Sequence, residues 1–175
     1  TSPDFEAPSD SGVDNLYEVN VSASDGTNTE SVSLSITVED AVEGRIVDGP
    51  LRNGKVFLDL NGNSIQDSDE PSGTTDENGF FTIRYVQSAK DAVLANLYTA
   101  RVIAVGGQDT LTKQELADFS IISDLPLDIT QFVYVTPITT VVAAAKTIEI
   151  KAQVLLSLNI NLTVQNLLTT PIWQQ

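Results

Sequence analysis

One run of twelve residues, Asp59-Leu60-Asn61-Gly62-Asn63-Ser64-Ile65-Gln66-Asp67-Ser68-Asp69-Glu70, constrains this chain more than any other. In an oxygen-donor loop of that length, side chains at positions 1, 3, 5, 9 and 12 and the backbone carbonyl of position 7 converge on a single hard cation. Here the side-chain donors are Asp59, Asn61, Asn63, Asp67 and Glu70, and the carbonyl is that of Ile65. Glu70 has the two oxygens of a bidentate contact, and calcium is the expected ion. The departure is Ser64 at position 6, where such loops turn sharply on a Gly. Gly62 stands two residues earlier, so the expectation is a shifted turn and a weakened affinity. The same residues also read as a polar surface turn rich in Asn, Asp and Gly.

The flanks decide what kind of loop this is. Lys55 to Asp59 reads as a buried strand that delivers Asp59 to the loop, and Pro71-Ser72-Gly73 is expected to break the chain after it. Thr74-Thr75-Asp76-Glu77-Asn78-Gly79 carries the Asn-Gly signal of a tight turn, and Phe80 to Tyr85 reads as the next strand. A loop between strands has no helix pair to open, which argues against a sensor of the EF-hand type despite the ligand spacing. It is read instead as a static clasp closing one end of a β fold.

Period-two alternation appears twice upstream, in Tyr17-Glu18-Val19-Asn20-Val21-Ser22-Ala23 and in Val32-Ser33-Leu34-Ser35-Ile36-Thr37-Val38. Both read as half-buried strands. Ser24-Asp25-Gly26-Thr27-Asn28 between them makes a hairpin or an equivalent inter-sheet connection. Two strands cannot bury a face alone, so further strands are expected from upstream sequence, from the next domain or from a second chain.

Composition narrows the function classes. Nine basic residues against twenty-four acidic ones give a formal net charge of -15, which argues against nucleic acid and anionic membrane surfaces and favours divalent cations. With neither Cys nor His, thiolate and imidazole chemistry, the usual zinc sites and a Ser-His-Asp triad are excluded. Asp67, Asp69 and Glu70 could serve as paired carboxylates only if held across a cleft, and no phosphate-binding Gly loop appears. The chain is therefore not expected to be an enzyme. It has no apolar run long enough for a membrane helix, and its opening residues do not read as a signal peptide. It opens on Thr1, and a piece of a longer protein is expected. Residues 1–44 hold ten acids and no Lys or Arg, which draws a composition boundary near Glu43-Gly44.

Ser2-Pro3-Asp4-Phe5-Glu6-Ala7-Pro8, then Asp14 to Gly26 with its Ala23-Ser24-Asp25-Gly26, then the alternating strand ending Val38-Glu39-Asp40, resemble the second half of a bacterial cadherin-like repeat. The resemblance covers about residues 2–43. It implies calcium at repeat boundaries, held by the matching acids Glu6, Asp25 and Asp40. Solvated edge and loop acids are the other reading of those three residues.

Gly54-Lys55-Val56-Phe57-Leu58-Asp59-Leu60-Asn61-Gly62-Asn63 through Asp69-Glu70-Pro71, followed by Thr74 to Phe81, is similar to the calcium-binding B-type repeats of bacterial surface adhesins and, more broadly, to transthyretin-like or carboxypeptidase-regulatory-like sandwiches. This likeness covers roughly residues 44–105. It implies an antiparallel β-sandwich with structural calcium, displayed outside the cell. Gly106-Gly107-Gln108-Asp109-Thr110 and Thr136-Pro137-Ile138-Thr139-Thr140 resemble the sequel found in large bacterial surface proteins, and supply no activity.

Residues 87–98 read as a short helix or a loop, Thr99 to Val105 as a strand ended by Gly106-Gly107, and Phe119 to Ile122 as another strand. Thr136 as N-cap with Pro137 at the first position starts a helix. Its face is Ile138, Val141, Val142, Ala145 and Ile148, and it is expected to run to about Leu158, with β-branched Thr147, Ile148 and Ile150 weakening its middle. Thr163 caps a last short helix over Val164 to Leu168. This apolar tail either packs on the sandwich, the favoured reading, or presents a face to a partner.

The expected fold is mainly β: an antiparallel, transthyretin/Ig-like sandwich over residues 44–135, a partial cadherin-like β segment over 1–43, and a C-terminal helical segment over 136–175. The expected role is a calcium-stabilised structural or adhesion module of a large secreted or surface-anchored bacterial protein, with neighbouring domains of the same chain and a host or cell-surface ligand as partners. A glycan- or peptide-binding domain and a strand-donating assembly module are the alternatives. The former calls for exposed aromatics, yet aromatic residues of any kind make up only 6% of the chain.

Overall fold

The computed structural model describes residues 5, 8–49 and 51–170. Its architecture is mainly β, with several small open sheets and four short helices among these residues. The first two strands, β1 (Leu16–Ser24) and β2 (Thr29–Thr37), form an antiparallel hairpin. Asp25 accepts backbone N–H bonds from Thr27 at 2.8 Å and Asn28 at 2.7 Å across its turn, and Gly26 takes a positive φ of 90°. The pairing places Tyr17 opposite Ile36, Val19 opposite Leu34 and Val21 opposite Val32, so one face of the ribbon is apolar. The other carries Glu18, Asn20 and Ser22 against Ser35, Ser33 and Ser31. The alternation is as expected and the burial is not: Val19, Val21, Val32, Leu34 and Ile36 are 40 to 54% exposed. The hairpin packs mainly on itself, because no third layer among the described residues reaches its apolar side.

Strand β3 (Asp40–Ile46) runs through the composition boundary at Glu43-Gly44. The short β4 (Leu51–Arg52) and then β5 (Lys55–Asp59) follow. After the twelve-residue loop the chain returns as β6 (Ser72–Thr74), paired antiparallel to β5 with Phe57 opposite Ser72. The expected break at Pro71-Ser72-Gly73 is thus a correction: Gly73 lies so close to the backbone of Thr82 that only a residue without Cβ fits, and the strand continues through it. The turn at Asp76 to Gly79 forms as read, with Asp76 accepting from Asn78 N at 2.8 Å and Phe80 N at 2.9 Å. It leads into β7 (Phe80–Tyr85). Helix α1 (Gln87–Ala95) settles the helix-or-loop alternative, and β8 (Arg101–Val105) ends at Gly106-Gly107. There φ is 63° and 104°, and a Cβ on Gly107 would meet Arg52 O and Gly54 at 2.9 Å. Next come β9 (Gln108–Asp109), β10 (Ser120–Asp124) and β11 (Val133–Val135).

The two larger sheets run β10-β8-β5-β6 and β11-β3-β7. A common core takes Val56 and Leu58 of β5, Val102 and Ala104 of β8 and Ile121 of β10 from one sheet, and Val42, Ile46, Phe81, Ile83, Val133 and Val135 from the other. All pairings in the first sheet are antiparallel, but β11 lies parallel to β3. This corrects the all-antiparallel expectation, and short β11 contains no local signal of direction.

The tail packs on this β body, in line with the favoured reading, but not as one helix. It forms α2 (Pro137–Ala143), α3 (Ile148–Ser157) and α4 (Val164–Thr169). Thr147 takes an extended conformation and caps a new helix by accepting from Ile150 N, which ends the continuous helix expected to Leu158. The buried face of α2 is Thr139, Val142 and Ala143, whereas Val141 and Ile148 are more than half exposed. The reason is polar. β10 is an edge strand, and α2 covers it: Thr140 Oγ1 accepts from Ile122 N at 2.9 Å, and Thr139 Oγ1 donates to Ile122 O at 2.9 Å. The Thr-Pro-x-Thr-Thr run is therefore a helix start that also satisfies an exposed sheet edge. Thr140→Val orphans the Ile122 N–H and is expected to destabilise the fold by roughly 1–2 kcal/mol in urea denaturation. An unchanged midpoint would show that water replaces the hydroxyl.

An ionic cluster reinforces the junction. Asp124 pairs with Lys151 of α3 and lies 3.7 Å from Arg101 Nε, while Arg101 Nη2 donates to Ala143 O at the end of α2 at 2.9 Å.

Candidate metal centre

Strand β5 buries Val56, Phe57 and Leu58, and carries Asp59 to the loop as a fully buried carboxylate. Its Oδ1 accepts from Gly62 N at 2.7 Å and its Oδ2 from Ser64 N at 3.0 Å. At the other end Glu70, 5% exposed, accepts from Leu60 N at 2.7 Å and Asp67 N at 3.1 Å. The first and last acids therefore lace the loop shut on the β5–β6 hairpin, and each carboxylate oxygen receives a charge-assisted bond from the backbone. These backbone donors have no side-chain signature and were not foreseen from the sequence.

Between the two acids, Asn61 Oδ1 accepts from Asn63 N at 2.9 Å and Asn63 Oδ1 from Ile65 N at 2.7 Å. Their amide nitrogens both donate to Asp67 Oδ2, at 2.7 and 2.8 Å. Ile65 turns its side chain outward, 67% exposed, and its carbonyl accepts no hydrogen bond from a described residue. Gln66 Nε2 donates to Glu70 O at 3.1 Å. Ser64 holds the position-6 turn itself, at φ 62°, and Gly62 is at φ 80°. The turn is not shifted. A serine occupies the left-handed conformation that costs an L-residue about 1–2 kcal/mol. Ser64→Gly is expected to raise stability by roughly 0.5–1 kcal/mol, the strain relieved less the extra freedom of Gly in the unfolded chain. Thermal denaturation checks it, and a lowered midpoint would show that the Ser64 hydroxyl contributes.

Charge is the notable property of the site. Four acids and no Lys or Arg occupy residues 59–70. Among the described residues no cation forms an ion pair with Asp59, Asp67 or Glu70. No three acidic side chains among the described residues close on one point as a ready metal cluster. A cation held here would take two of its donors from the Asn amides and one from the Ile65 carbonyl. A carbonyl oxygen has two lone pairs, so the bonds that Asn61 and Asn63 accept leave each oxygen able to bind an ion. The donor set is all oxygen, as a hard cation requires.

The other acids do not join this loop. Glu6 lies outside the described residues. Asp25 sits in the β1–β2 turn, exposed, where the backbone N–H groups of Asn28 and then Thr27 hold its carboxyl below the ordinary value of 3.8. That contribution to the turn is present above the unfolded-state value and lost as pH falls through the folded one. Asp40 opens β3, accepts from Tyr85 Oη at 3.0 Å and pairs with Lys90 Nζ at 3.2 Å, tying β3 to β7 and α1. The nine-residue β2 separates Asp25 from Asp40, and at about 3.3 Å per residue its length prevents the two from sharing an ion. Asp69 is exposed.

No protein-family model, curated protein or solved structure matches the chain. No helix among the described residues is long and apolar enough to cross a membrane.

Proposed function

We propose that the chain is a calcium-stabilised structural module, in which the Asp59–Glu70 loop binds one calcium ion as part of the fold. One observation carries this reading: two buried carboxylates, Asp59 and Glu70, frame a loop of four acids that no Lys or Arg neutralises among the described residues. Buried charge without a counter-ion is strongly disfavoured, and a divalent cation is the simplest remedy for an all-oxygen site. The strained Ser64 and the two neutral amides weaken the site, which suits the low-affinity class of extracellular modules with Kd of about 10⁻⁴–10⁻³ M. The two sheets with their common core are inferred to be the layers of a transthyretin-like sandwich. The module's setting is then a long secreted or surface-displayed adhesin, in which metal stiffens one end of the domain. Calcium titration calorimetry is expected to show one site in the wild type and none in Asp59→Ala. No heat of binding in the wild type would overturn the proposal.

A second reading, assembly, has its own observation. The β1–β2 ribbon exposes a continuous apolar face and belongs to a two-stranded sheet, so another β segment could complete it. Sedimentation is expected to show concentration-dependent oligomers that Val21→Asp abolishes. A monomer at every concentration would remove this reading.

A further inference from the structure

A cleft of about 500 Å³ opens at the junction of the helices with the β body, remote in sequence from the calcium loop. Its apolar floor includes Leu125 and Val164, both buried, and its rim carries Leu127, Ile148 and Tyr98, exposed by 52, 56 and 89%. The walls are tied together: Gln165 of α4 accepts from Leu127 N through Oε1 at 2.9 Å. The volume is within the range of small-molecule sites.

The charge of this cleft runs against the rest of the chain. Lys146 and Lys151 both line it, and Asp124 is the acid that lines it among the described residues. Asp124 is already paired with Lys151 and approached by Arg101. Lys146 is exposed and forms no ion pair among the described residues. Glu149, on the first turn of α3, is exposed and does not line the cleft. Two lysines against one acid thus give the cleft lining a net positive charge in a chain of net charge -15.

We infer that this cleft binds an aliphatic carboxylate, with the hydrocarbon on Leu125, Leu127 and Ile148 and the carboxylate at Lys146. An apolar floor beside an unpaired ammonium selects for that combination, since a purely apolar ligand leaves the charge unanswered and a purely ionic one leaves the floor wet. The inference is independent of calcium at Asp59.

Amide NMR on the calcium-loaded chain tests it with octanoate, with octanol, and with N-acetyl-leucine beside its amide. Octanoate is expected to shift Tyr98, Ile148 and Gln165, and octanol to bind more weakly. Lys146→Gln weakens octanoate by roughly threefold or more, the worth of one partly exposed ion pair, and leaves octanol unaffected. Leu127→Asp, at an exposed rim position, abolishes binding. Tighter binding of N-acetyl-leucine than of its amide supports the same site with a peptide terminus as the source of the carboxylate. Equal affinity for octanoate and octanol, equal octanoate affinity in Lys146→Gln, or no shift at roughly 10 mM probe, above the range of a weak millimolar site, would overturn it.

Discussion

Chelating calcium is expected to lower the unfolding temperature of this chain, and Asp59→Ala to remove the response. A ligand that binds only the folded state stabilises it by RT ln(1 + [L]/Kd), about 2.7 kcal/mol at a hundredfold excess over Kd. For a domain of this size that corresponds to a rise of roughly 5–10 °C. Asp59 carries the largest share because it is fully buried and orders the loop through Gly62 N and Ser64 N. Its loss would remove a proposed metal ligand and also leave those two N–H groups unsatisfied, so Asp59→Ala is expected to be less stable than the wild type even in chelator, by about 2 kcal/mol. Asp69→Ala, at an exposed position outside the proposed donor set, is expected to retain the calcium response. Scanning calorimetry with chelator and with millimolar calcium decides the matter. Coincident wild-type curves would mean that the Asn61 and Asn63 amides suffice to quiet Asp67 without an ion, and that the loop is a polar turn.

Gly44→Ala is expected to be the most damaging single methyl group that can be added to this chain. Gly44 lies on β3, opposite Val133 of β11 on one side and Phe81 of β7 on the other. A Cβ there would overlap both the Val133 carbonyl oxygen and the Phe81 ring. Neither can retreat: the carbonyl belongs to the parallel ladder, and Phe81 is 3% exposed within the core. Overpacking of this kind costs about 3 kcal/mol, a loss of at least about 1 M in the urea midpoint. Gly26→Ala provides the comparison. Its added Cβ meets open space, so it bears the cost of positive φ alone and should fall well short of Gly44→Ala. Equal effects would show that the β11–β3–β7 sheet can shift apart.

The candidate site was legible in part. Donor spacing from Asp59 to Glu70 is a property of the chain, and the structure gathers those residues into one laced loop. Their hydrogen-bond partners were not legible, because they are backbone N–H groups that every residue but Pro possesses. Nor was the left-handed Ser64, since the usual signal for that conformation is a Gly and the strain is borne by surrounding bonds. The Asp124, Arg101 and Lys151 cluster was missed for a different reason. Its members come from β10, β8 and α3 with no spacing relation, and only folding brings them together.

What the sequence determined by itself is local. Period-two alternation set β1 and β2 and sorted their side chains onto two faces. Thr136-Pro137 and Thr163 marked two helix starts, and Asn78-Gly79 marked the turn before β7. Each depends on the conformational preference of a few consecutive residues, which the chain carries whether folded or not. The tertiary structure decided the rest. It left the apolar face of the hairpin in solvent, returned Ser72–Thr74 onto β5, set β11 parallel to β3, and gave Asp40 to Lys90 and Tyr85. It also split the C-terminal helix at Thr147, where the chain turns to lay the Thr139 and Thr140 hydroxyls on Ile122. All of these depend on which distant backbone groups and charges must be satisfied once a core has formed, and hydrophobic periodicity carries no record of that requirement.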